Sequence, residues 1–364
     1  MSLNKLLLLT PDFPPQEGGV ARYLKALTEH FKDRIEVLTE PHSAWHTVDP
    51  NAGIPIYRAH LLSKWLWPHW LKTVYTLWKY RSRYHMILTS HVLPIGTAAY
   101  FAKKFTHIPY VVFLHGMDVR LAKTSKRKID LTRKILKGAH LVVANSQALA
   151  REVVQMYGVQ EVLVVYPCVD ELKTNHLEKD VSEPFQLLTV SRLVERKGHS
   201  HVLNALAHLK GTGDLRSFVY HIVGEGPMEE TLKSMVSALD LQAYVKFHGA
   251  VTDEERSEYY AQADVFVMPV SQDPIDKEGF GLVFIEAAQA GVPSISTAIE
   301  GVDEAVIHGQ TGILLPDQTE QQLANAILAM YRDTALRAEF SRNAKEHAKQ
   351  FLCEAQMSKL DPYL

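Results

Sequence analysis

The chain has two cysteines in 364 residues, no long apolar run and almost no net charge. Two cysteines exclude a disulfide-rich scaffold and a zinc site built from thiolates. The purely apolar stretches are short, as in residues 6–9, whereas a membrane-spanning helix needs about 20 apolar residues. The N-terminus shows no apolar segment followed by a small-residue cleavage site. These absences predict a cytoplasmic protein without a membrane span.

The low net charge hides an uneven distribution. The formal charge of -2 comes from 39 basic and 41 acidic residues. Residues 1–180 hold 24 of the basic and 15 of the acidic residues, and residues 181–364 hold 15 and 26. Between residues 58 and 137 there are 16 basic residues against two acidic ones. A basic half joined to an acidic half indicates that one half faces an anionic partner.

The length and the order of the apolar runs predict two α/β domains. At about 100–200 residues per domain, the chain fits two cores better than one. Runs of Val, Ile and Leu without alternation are typical of parallel strands covered on both faces, and amphipathic stretches between them predict two doubly wound sheets. The predicted strands are residues 6–9, 35–38, 86–89, 110–114, 141–144, 186–190, 218–223, 245–247, 265–268, 294–296 and 312–315.

A polar stretch marks the predicted boundary between these domains. Residues 171–180 read ELKTNHLEKD, and the sign of the charge balance changes here. The prediction is a first domain over residues 1–170 and a second over residues 171–344.

In open α/β sheets, ligands bind beyond the carboxyl ends of the strands, so the loops after strands are the candidate sites. Residues 14–22, PPQEGGVAR, place Gly18 and Gly19 before a helix whose free N–H groups suit an anion. An ordinary turn is the alternative. Residues 115–118, HGMD, put His115 directly after a strand. There it either meets a substrate or is hydrogen-bonded within its loop.

Two loops of the second half carry a more specific pattern. Residues 191–198, SRLVERKG, place Arg192 and Lys197 where both reach one anionic group, with a solvated basic loop as the alternative. Residues 278–286, EGFGLVFIE, open a helix whose N-terminus suits a diphosphate. Glu286 lies among apolar residues and needs a partner, which is either a set of ligand hydroxyls or a buried ion pair.

Residues 278–286 begin and end with glutamate and contain Gly-Phe-Gly. This pattern resembles the signature of the retaining glycosyltransferases of family four. They have the GT-B fold, in which two Rossmann-like domains face each other across a cleft. The resemblance covers most of the chain and is weaker over residues 40–105. Further matching segments are 188–198 (LTVSRLVERKG), 223–227 (VGEGP), 247–250 (FHGA), 260–269 (YAQADVFVMP), 301–312 (GVDEAVIHGQTG), 145–146 (NS) and 167–170 (PCVD).

The resemblance implies roles residue by residue. Arg192 and Lys197 would hold the donor diphosphate, Glu278 the hydroxyls of the donor sugar, and Glu286 the ribose hydroxyls. Gly19 would sit on the phosphate and acceptor side, and His115 near the reacting carbon. The implied catalytic residues are His115, Arg192, Lys197 and Glu278, and the implied donor-binding residues are Gly18, Gly19, Arg192, Lys197, Gly279, Phe280, Gly281, Leu282, Val283 and Glu286.

The implied reaction moves a sugar from a UDP- or GDP-sugar to an acceptor hydroxyl with retention of configuration. No metal or other cofactor is expected, because no Asp-x-Asp pair stands in a donor loop. Two positions depart from the family pattern. Cys168 stands where glycine is common, and residues 269–277 form a longer loop than the usual one. The resemblance also implies that the last helix, about residues 345–364, packs back on the first domain.

The acceptor half is basic and rich in tryptophan. Residues 64–84 contain four of the five Trp residues and five basic residues without an acid. Aromatic rings beside cations suit an anionic lipid surface, which predicts a peripheral membrane protein with a lipid or lipid-linked acceptor. Packing of these rings in the core and a polyanionic acceptor are the alternatives. The predicted membrane and acceptor residues are Trp65, Trp67, Trp70, Lys72, Trp78, Lys126, Arg127 and Lys128.

Other classes of protein fit the sequence less well. An NAD-dependent dehydrogenase is disfavoured because its glycine-rich dinucleotide-binding motif is incomplete. Residues 224–226, GEG, are followed by proline, without a third glycine at the required spacing. A nucleotide-sugar epimerase or a phosphorylase of the GT-B type remains possible, as does a nucleotide-sugar-binding protein without turnover. No nucleic-acid motif is present. His199 and His201 lack a third ligand at metal spacing, so no metal site is predicted.

Overall fold

The computed structural model of the chain describes residues 5–16, 18–171, 184–271, 280–299 and 301–364. Its polypeptide divides into two compact units. Unit 1 comprises Met1–Cys168 and Cys353–Leu364, and unit 2 comprises Val169–Leu352. The segment that returns to unit 1 thus begins at Cys353, whereas the sequence interpretation began it near residue 345.

Unit 1 is built on one parallel sheet, as the apolar runs predict. In the described part, its seven strands are β1 (Leu6–Thr10), β2 (Ile35–Thr39), β3 (Ile56–Arg58), β4 (Met86–Thr89), β5 (Tyr110–Leu114), β6 (Leu141–Ala144) and β7 (Leu163–Val164). They lie in the order β3-β2-β1-β4-β5-β6-β7, and each neighbouring pair is parallel. The order reverses between β1 and β4, which places the switch point of the sheet there.

Helices cover the faces of this sheet. Leu24 and Leu27 of the first helix pack with Leu6 and Leu8, whereas Leu7 and Leu9 face a separate apolar cluster. Both faces of the first strand are therefore buried, which explains its unbroken leucine run. The helices of unit 1 before Cys168 are α1 (Gly19–His30), α2 (Trp45–Val48), α3 (Leu71–Lys79), α4 (Thr97–Thr106), α5 (Met117–Ala122), α6 (Lys126–Gly138) and α7 (Gln147–Tyr157).

Unit 2 is likewise built on one sheet, which has six strands in its described residues. The strands are β8 (Phe185–Val190), β9 (Phe218–Val223), β10 (Val245–Gly249), β11 (Val265–Val267), β12 (Ser294–Thr297) and β13 (Gly312–Leu315). They lie in the order β10-β9-β8-β11-β12-β13, so the switch point lies between β8 and β11. The helices are α8 (His199–Thr212), α9 (Glu229–Ala238), α10 (Asp253–Gln262), α11 (Leu282–Gln289), α12 (Val302–Ala305), α13 (Glu320–Arg332) and α14 (Thr334–Ala348).

The end of the chain differs from the single last helix expected over about residues 345–364. After α14, a 3-10 turn covers Lys349–Phe351, α15 covers Cys353–Met357, and a second 3-10 turn covers Ser358–Leu360. Met357 and Leu360 pack into the core of unit 1. No helix in the described residues has the length and apolar character that a bilayer crossing requires.

A disulfide joins Cys168 to Cys353, 185 residues later in the chain. The amide of Val169 donates to the carbonyl of Phe351 at 3.1 Å, and Val169 bridges Leu352. The two chain segments that connect the units therefore run side by side. The cysteine count did exclude a disulfide-rich scaffold, but it did not predict this single bond.

Candidate active site

The loop after β8 lies at the switch point of unit 2. Residues 191–198 follow Val190 and include a 3-10 turn, Glu195–Lys197. The amide of Ser271 donates to the carbonyl of Arg196 at 2.8 Å, which ties this loop to the segment after β11. Loops from the two strands that flank the switch point thus meet, where an open α/β sheet binds its ligand.

Three glycines allow this loop its close packing. Gly198 has a φ of 77°, and a Cβ there would lie 2.2 Å from the carbonyl oxygen of Pro269. A Cβ on Gly224 would lie 2.0 Å from the carbonyl oxygen of Ser191, and one on Gly226 would lie 2.5 Å from that of Leu193. The glycines of residues 223–227 therefore serve loop packing, which explains them without a dinucleotide.

The two cations of this loop differ in exposure. Arg192 is exposed, whereas Lys197 is only 8% exposed. Burial and the neighbouring charge of Lys197 lower the pKa of His199 to about 4, so this imidazole is neutral at pH 7. Its Nε2 lies 3.2 Å from the Ser191 hydroxyl. A buried ammonium at a sheet switch point is a strong anion-binding group, because little water screens it.

Helix α11 begins where the sequence predicts. Gly281 is its N-cap residue, with φ 78° and ψ 62°, a conformation that favours glycine. The helix then starts at Leu282 and Val283, and Phe280 is buried before it. The first amides of a helix have no partner within it and attract anions. Glu278 and Gly279 lie outside the described residues.

Glu286, in the second turn of α11, is 7% exposed and has protein partners. The Tyr260 hydroxyl donates to its Oε2 at 2.9 Å. The Nε of Arg256 lies 3.4 Å from the same oxygen. The buried ion pair considered from the sequence is therefore present, and it does not exclude a ligand contact by the same carboxylate.

In unit 1, Gly18 and Gly19 stand at the N-terminus of α1. Gly18 has a φ of 141°, which disfavours any other residue. A Cβ on Gly19 would meet no atom of the described residues within 4 Å. Packing therefore does not require a glycine at position 19, whereas close approach of a ligand would.

His115 follows β5, as predicted, and is enclosed by other rings. Tyr23 of α1 contacts its ring edge-on at a centroid distance of 5.2 Å, and His91 lies 6.4 Å away. Burial and the charge of His91 lower the pKa of His115 to about 3. This histidine is therefore neutral at pH 7.

The sequence did not predict a cluster of hydrogen-bonded polar side chains near His115. The Ser90 hydroxyl donates to Thr10 Oγ1 at 2.7 Å and lies 2.8 Å from Nδ1 of His91. Nε2 of His91 lies 3.3 Å from a carboxylate oxygen of Asp12. Asp12 and His91 follow β1 and β4, the two strands at the switch point of this sheet. Applying the rule of loops after strands to residues 86–89 would have found His91.

The tryptophans of the predicted acceptor region have different environments. Trp65 is 97% and Trp67 83% exposed, in the loop before α3, and Trp78 on α3 is 45% exposed. Core packing is therefore excluded for Trp65 and Trp67. Trp70 instead stacks on Phe101 of α4 at 4.6 Å. Lys72, Lys126, Arg127 and Lys128 are all exposed.

Solved structures with a similar overall fold identify the fold of this chain. Over 98% of both chains, Anabaena HepE in complex with UDP aligns with a TM-score of 0.81 and 23% identity. A glycosyltransferase from Rickettsia africae aligns over 99% of this chain and 98% of its own, with a TM-score of 0.82 and 19% identity. The fold is accordingly the α/β GT-B fold.

Family models match both halves of the chain. The model for Glycosyltransferase Family 4 matches residues 17–171, and the model for Glycosyl transferases group 1 matches residues 173–347. The chain belongs to the family-four glycosyltransferases, as the sequence motifs predict, and it is a transferase.

Curated relatives match most of the chain. A GDP-mannose-dependent alpha-(1-6)-phosphatidylinositol monomannoside mannosyltransferase of Mycobacterium tuberculosis is 27% identical over 92% of this chain and 91% of its own. A D-inositol 3-phosphate glycosyltransferase of an Arthrobacter species is 29% identical over 74% of this chain and 67% of its own.

Proposed function

We propose that this glycosyltransferase moves a sugar from a UDP- or GDP-sugar to a hydroxyl of a membrane lipid or lipid-linked saccharide, with retention of configuration, in the synthesis of cell-envelope glycans. The observation that carries the proposal is buried Lys197 in the loop at the switch point of unit 2. The relative named as a phosphatidylinositol mannoside mannosyltransferase supports both a nucleotide-sugar donor and a lipid acceptor.

The proposed donor site stabilises charge on the departing diphosphate. Lys197 and Arg192 supply positive charge, and the first amides of α11, at Leu282 and Val283, supply hydrogen-bond donors. Negative charge grows on the leaving group as the bond to the sugar breaks through an oxocarbenium-like transition state. Groups held in place for that charge contribute several kcal/mol to its stabilisation.

The proposed acceptor step needs no cation from His115. A leaving phosphate oxygen takes the acceptor proton as the acceptor oxygen attacks on the same face of the sugar. Neutral His115 then contributes a hydrogen bond close to the reacting carbon, and Glu278 holds hydroxyls of the donor sugar. Metal independence is part of this proposal.

The test of this function is a panel of nucleotide-sugars incubated with a membrane-lipid extract and analysed by mass spectrometry, with the anomeric configuration read by NMR. We expect one UDP- or GDP-sugar to give a glycolipid of retained configuration. Glu278→Ala and Arg192→Ala should lower both transfer and donor hydrolysis. Near wild-type rates in both variants, or an inverted product, would contradict the proposal. Sugar isomerisation without an acceptor would favour an epimerase, and binding without turnover a binding protein.

The exposed rings of unit 1 support a membrane-facing acceptor side. Trp65 and Trp67 offer large apolar surface to solvent at a loop with Lys64, and Lys72 lies exposed on the following helix. Rings of this kind enter the headgroup boundary while the cations meet anionic lipid, each cation contributing about 1 kcal/mol. The basic side chains at Lys126–Arg127–Lys128 add to the same half. Peripheral binding to the inner face of the membrane follows from this proposal.

Flotation with anionic vesicles tests whether the surface around Trp65 and Trp67 binds membranes. We expect the protein to float with phosphatidylglycerol vesicles at low salt and less with neutral ones, because screening weakens the cation contribution. Replacing Trp65 and Trp67 together by serine should reduce binding about 10-fold or more, since each ring buries apolar area in lipid. Trp45→Ser is the matched control, as Trp45 is also exposed but lies on α2. Absence of wild-type flotation, or an equal loss in the control, would contradict membrane docking.

A further inference from the structure

The carboxylate of Glu286 is held by one face of a neighbouring helix. Arg256 and Tyr260 stand four residues apart on α10, so their side chains project from the same side of that helix. Both reach Oε2 of Glu286, at 3.4 Å and 2.9 Å. The Tyr260 hydroxyl also lies 3.3 Å from the carbonyl oxygen of Val283, one turn before Glu286. A hydroxyl donor and a guanidinium cation thus converge on one oxygen of a single carboxylate.

Burial of these side chains favours one orientation of the Glu286 carboxylate. The Glu286 side chain is 9% and the Arg256 side chain 19% exposed. Tyr260 is 1% exposed and its ring packs beside Phe266 of β11 at a centroid distance of 6.0 Å. Burial of a carboxylate in such surroundings is unfavourable unless the carboxylate is paired. Tyr260 and Arg256 therefore supply partners for the buried carboxylate oxygen, and two contacts on one oxygen restrict how the carboxylate turns.

Arg256 and Tyr260 are themselves held in place. Arg256 also pairs with Asp253 at 2.8 Å, one turn earlier on α10. The start of α10 is held by a capping box, in which Thr252 accepts from the Glu255 amide and Glu255 accepts from the Thr252 amide. A rigid helix N-terminus and a core-packed ring give the pair the stability that a positioning role requires.

We propose that Arg256 and Tyr260 are positioning residues that orient Glu286 to accept hydrogen bonds from the ribose hydroxyls of the donor nucleotide. The proposal rests on the proposed function, in which Glu286 contacts the ribose. The two residues act through Glu286 and make no contact with the nucleotide themselves. They therefore set how strongly the enzyme distinguishes a ribonucleotide from one without ribose hydroxyls.

The experiment compares binding of UDP and GDP with that of their 2′,3′-dideoxy analogues by calorimetry. Tyr260→Phe removes one hydroxyl and keeps the ring, and Arg256→Gln removes the charge. We expect each to weaken ribonucleotide binding about 10-fold, the size of one charge-assisted hydrogen bond. Binding of the dideoxy analogue should stay within about twofold of wild type. In transfer assays, KM for the donor should rise while kcat changes little. Arg256→Lys should restore part of the affinity.

Matched controls separate positioning from general damage. Tyr331→Phe alters a ring of unit 2 that packs on Phe185, and Arg216→Gln alters an exposed arginine. Both should bind like wild type. Equal losses for ribo- and dideoxynucleotides in Tyr260→Phe, or no loss, would overturn the positioning role. Glu286→Gln tests the underlying function separately. If it keeps wild-type discrimination, the ribose contact itself fails; if only Glu286→Gln loses discrimination, the positioning role alone fails.

Discussion

Replacing Lys197 by methionine is expected to lower the transfer rate about 100- to 1,000-fold, the loss seen when one preorganised group that stabilises transition-state charge is removed. Methionine keeps the length of the side chain and suits a position that is 8% exposed. The substitution removes the ammonium while leaving the fold of residues 191–198 intact. Steady-state kinetics of transfer and of donor hydrolysis measure the effect, which should be larger in kcat than in KM.

The pKa of His199 provides a second measurement of the effect of Lys197→Met. The charge of Lys197 contributes to the low pKa of His199, so this pKa should rise in the variant, as measured by NMR titration. Lys246→Met is the control, because Lys246 is an exposed cation on β10 of the same unit. It should retain wild-type kinetics. A Lys197→Met enzyme within about threefold of the wild-type rate would contradict a role for Lys197 in stabilising the leaving diphosphate.

Breaking the Cys168–Cys353 disulfide is expected to lower the free energy of unfolding of unit 2 by about 3–5 kcal/mol, since the bond closes a very long loop. The 185-residue separation encloses the whole of unit 2. The bond mainly restricts the unfolded chain, so its loss favours unfolding with little change to the folded core. Urea unfolding of the oxidised protein and of the Cys168→Ser/Cys353→Ser variant measures the difference.

The reductant provides the control for this prediction. Adding dithiothreitol should lower the urea midpoint of the wild-type protein and leave that of the double variant unchanged. Alkylation with mass detection should find two reactive thiols only after reduction. Two thiols in the untreated, oxidised protein, or equal midpoints for both proteins, would show that the bond does not form in solution.

The strands of both sheets were largely predictable. Continuous apolar runs such as residues 6–9 and 218–223 are required where both faces of a strand are covered, and these runs became β1 and β9. The missed strands, Ile56–Arg58 and Leu163–Val164, are short and lie at the edges of the unit 1 sheet. An edge strand of two or three partly exposed residues is too short to show a pattern by which it could be recognised.

The candidate site was predictable only in part. Loops after strands and glycine pairs pointed to Lys197, His115 and the start of α11, because the chemistry of such loops follows from sheet geometry. Arg256 and Tyr260 were not predicted, since they lie inside a polar helix and reach Glu286 only after α10 and α11 pack. The roles of the predicted residues in catalysis and donor binding remain predictions.

By itself, the sequence determined three things. They are the two α/β domains with parallel sheets, the family, and the loops that hold the candidate site residues. These properties can be recognised locally, because apolar runs, helix starts and glycine positions are patterns of neighbouring residues in the chain. Only the tertiary structure decided that Glu286 is paired with Arg256, that Trp65 is exposed while Trp70 stacks on Phe101, and that Cys168 meets Cys353. Burial and pairing depend on groups brought together from distant parts of the chain, which no local pattern records.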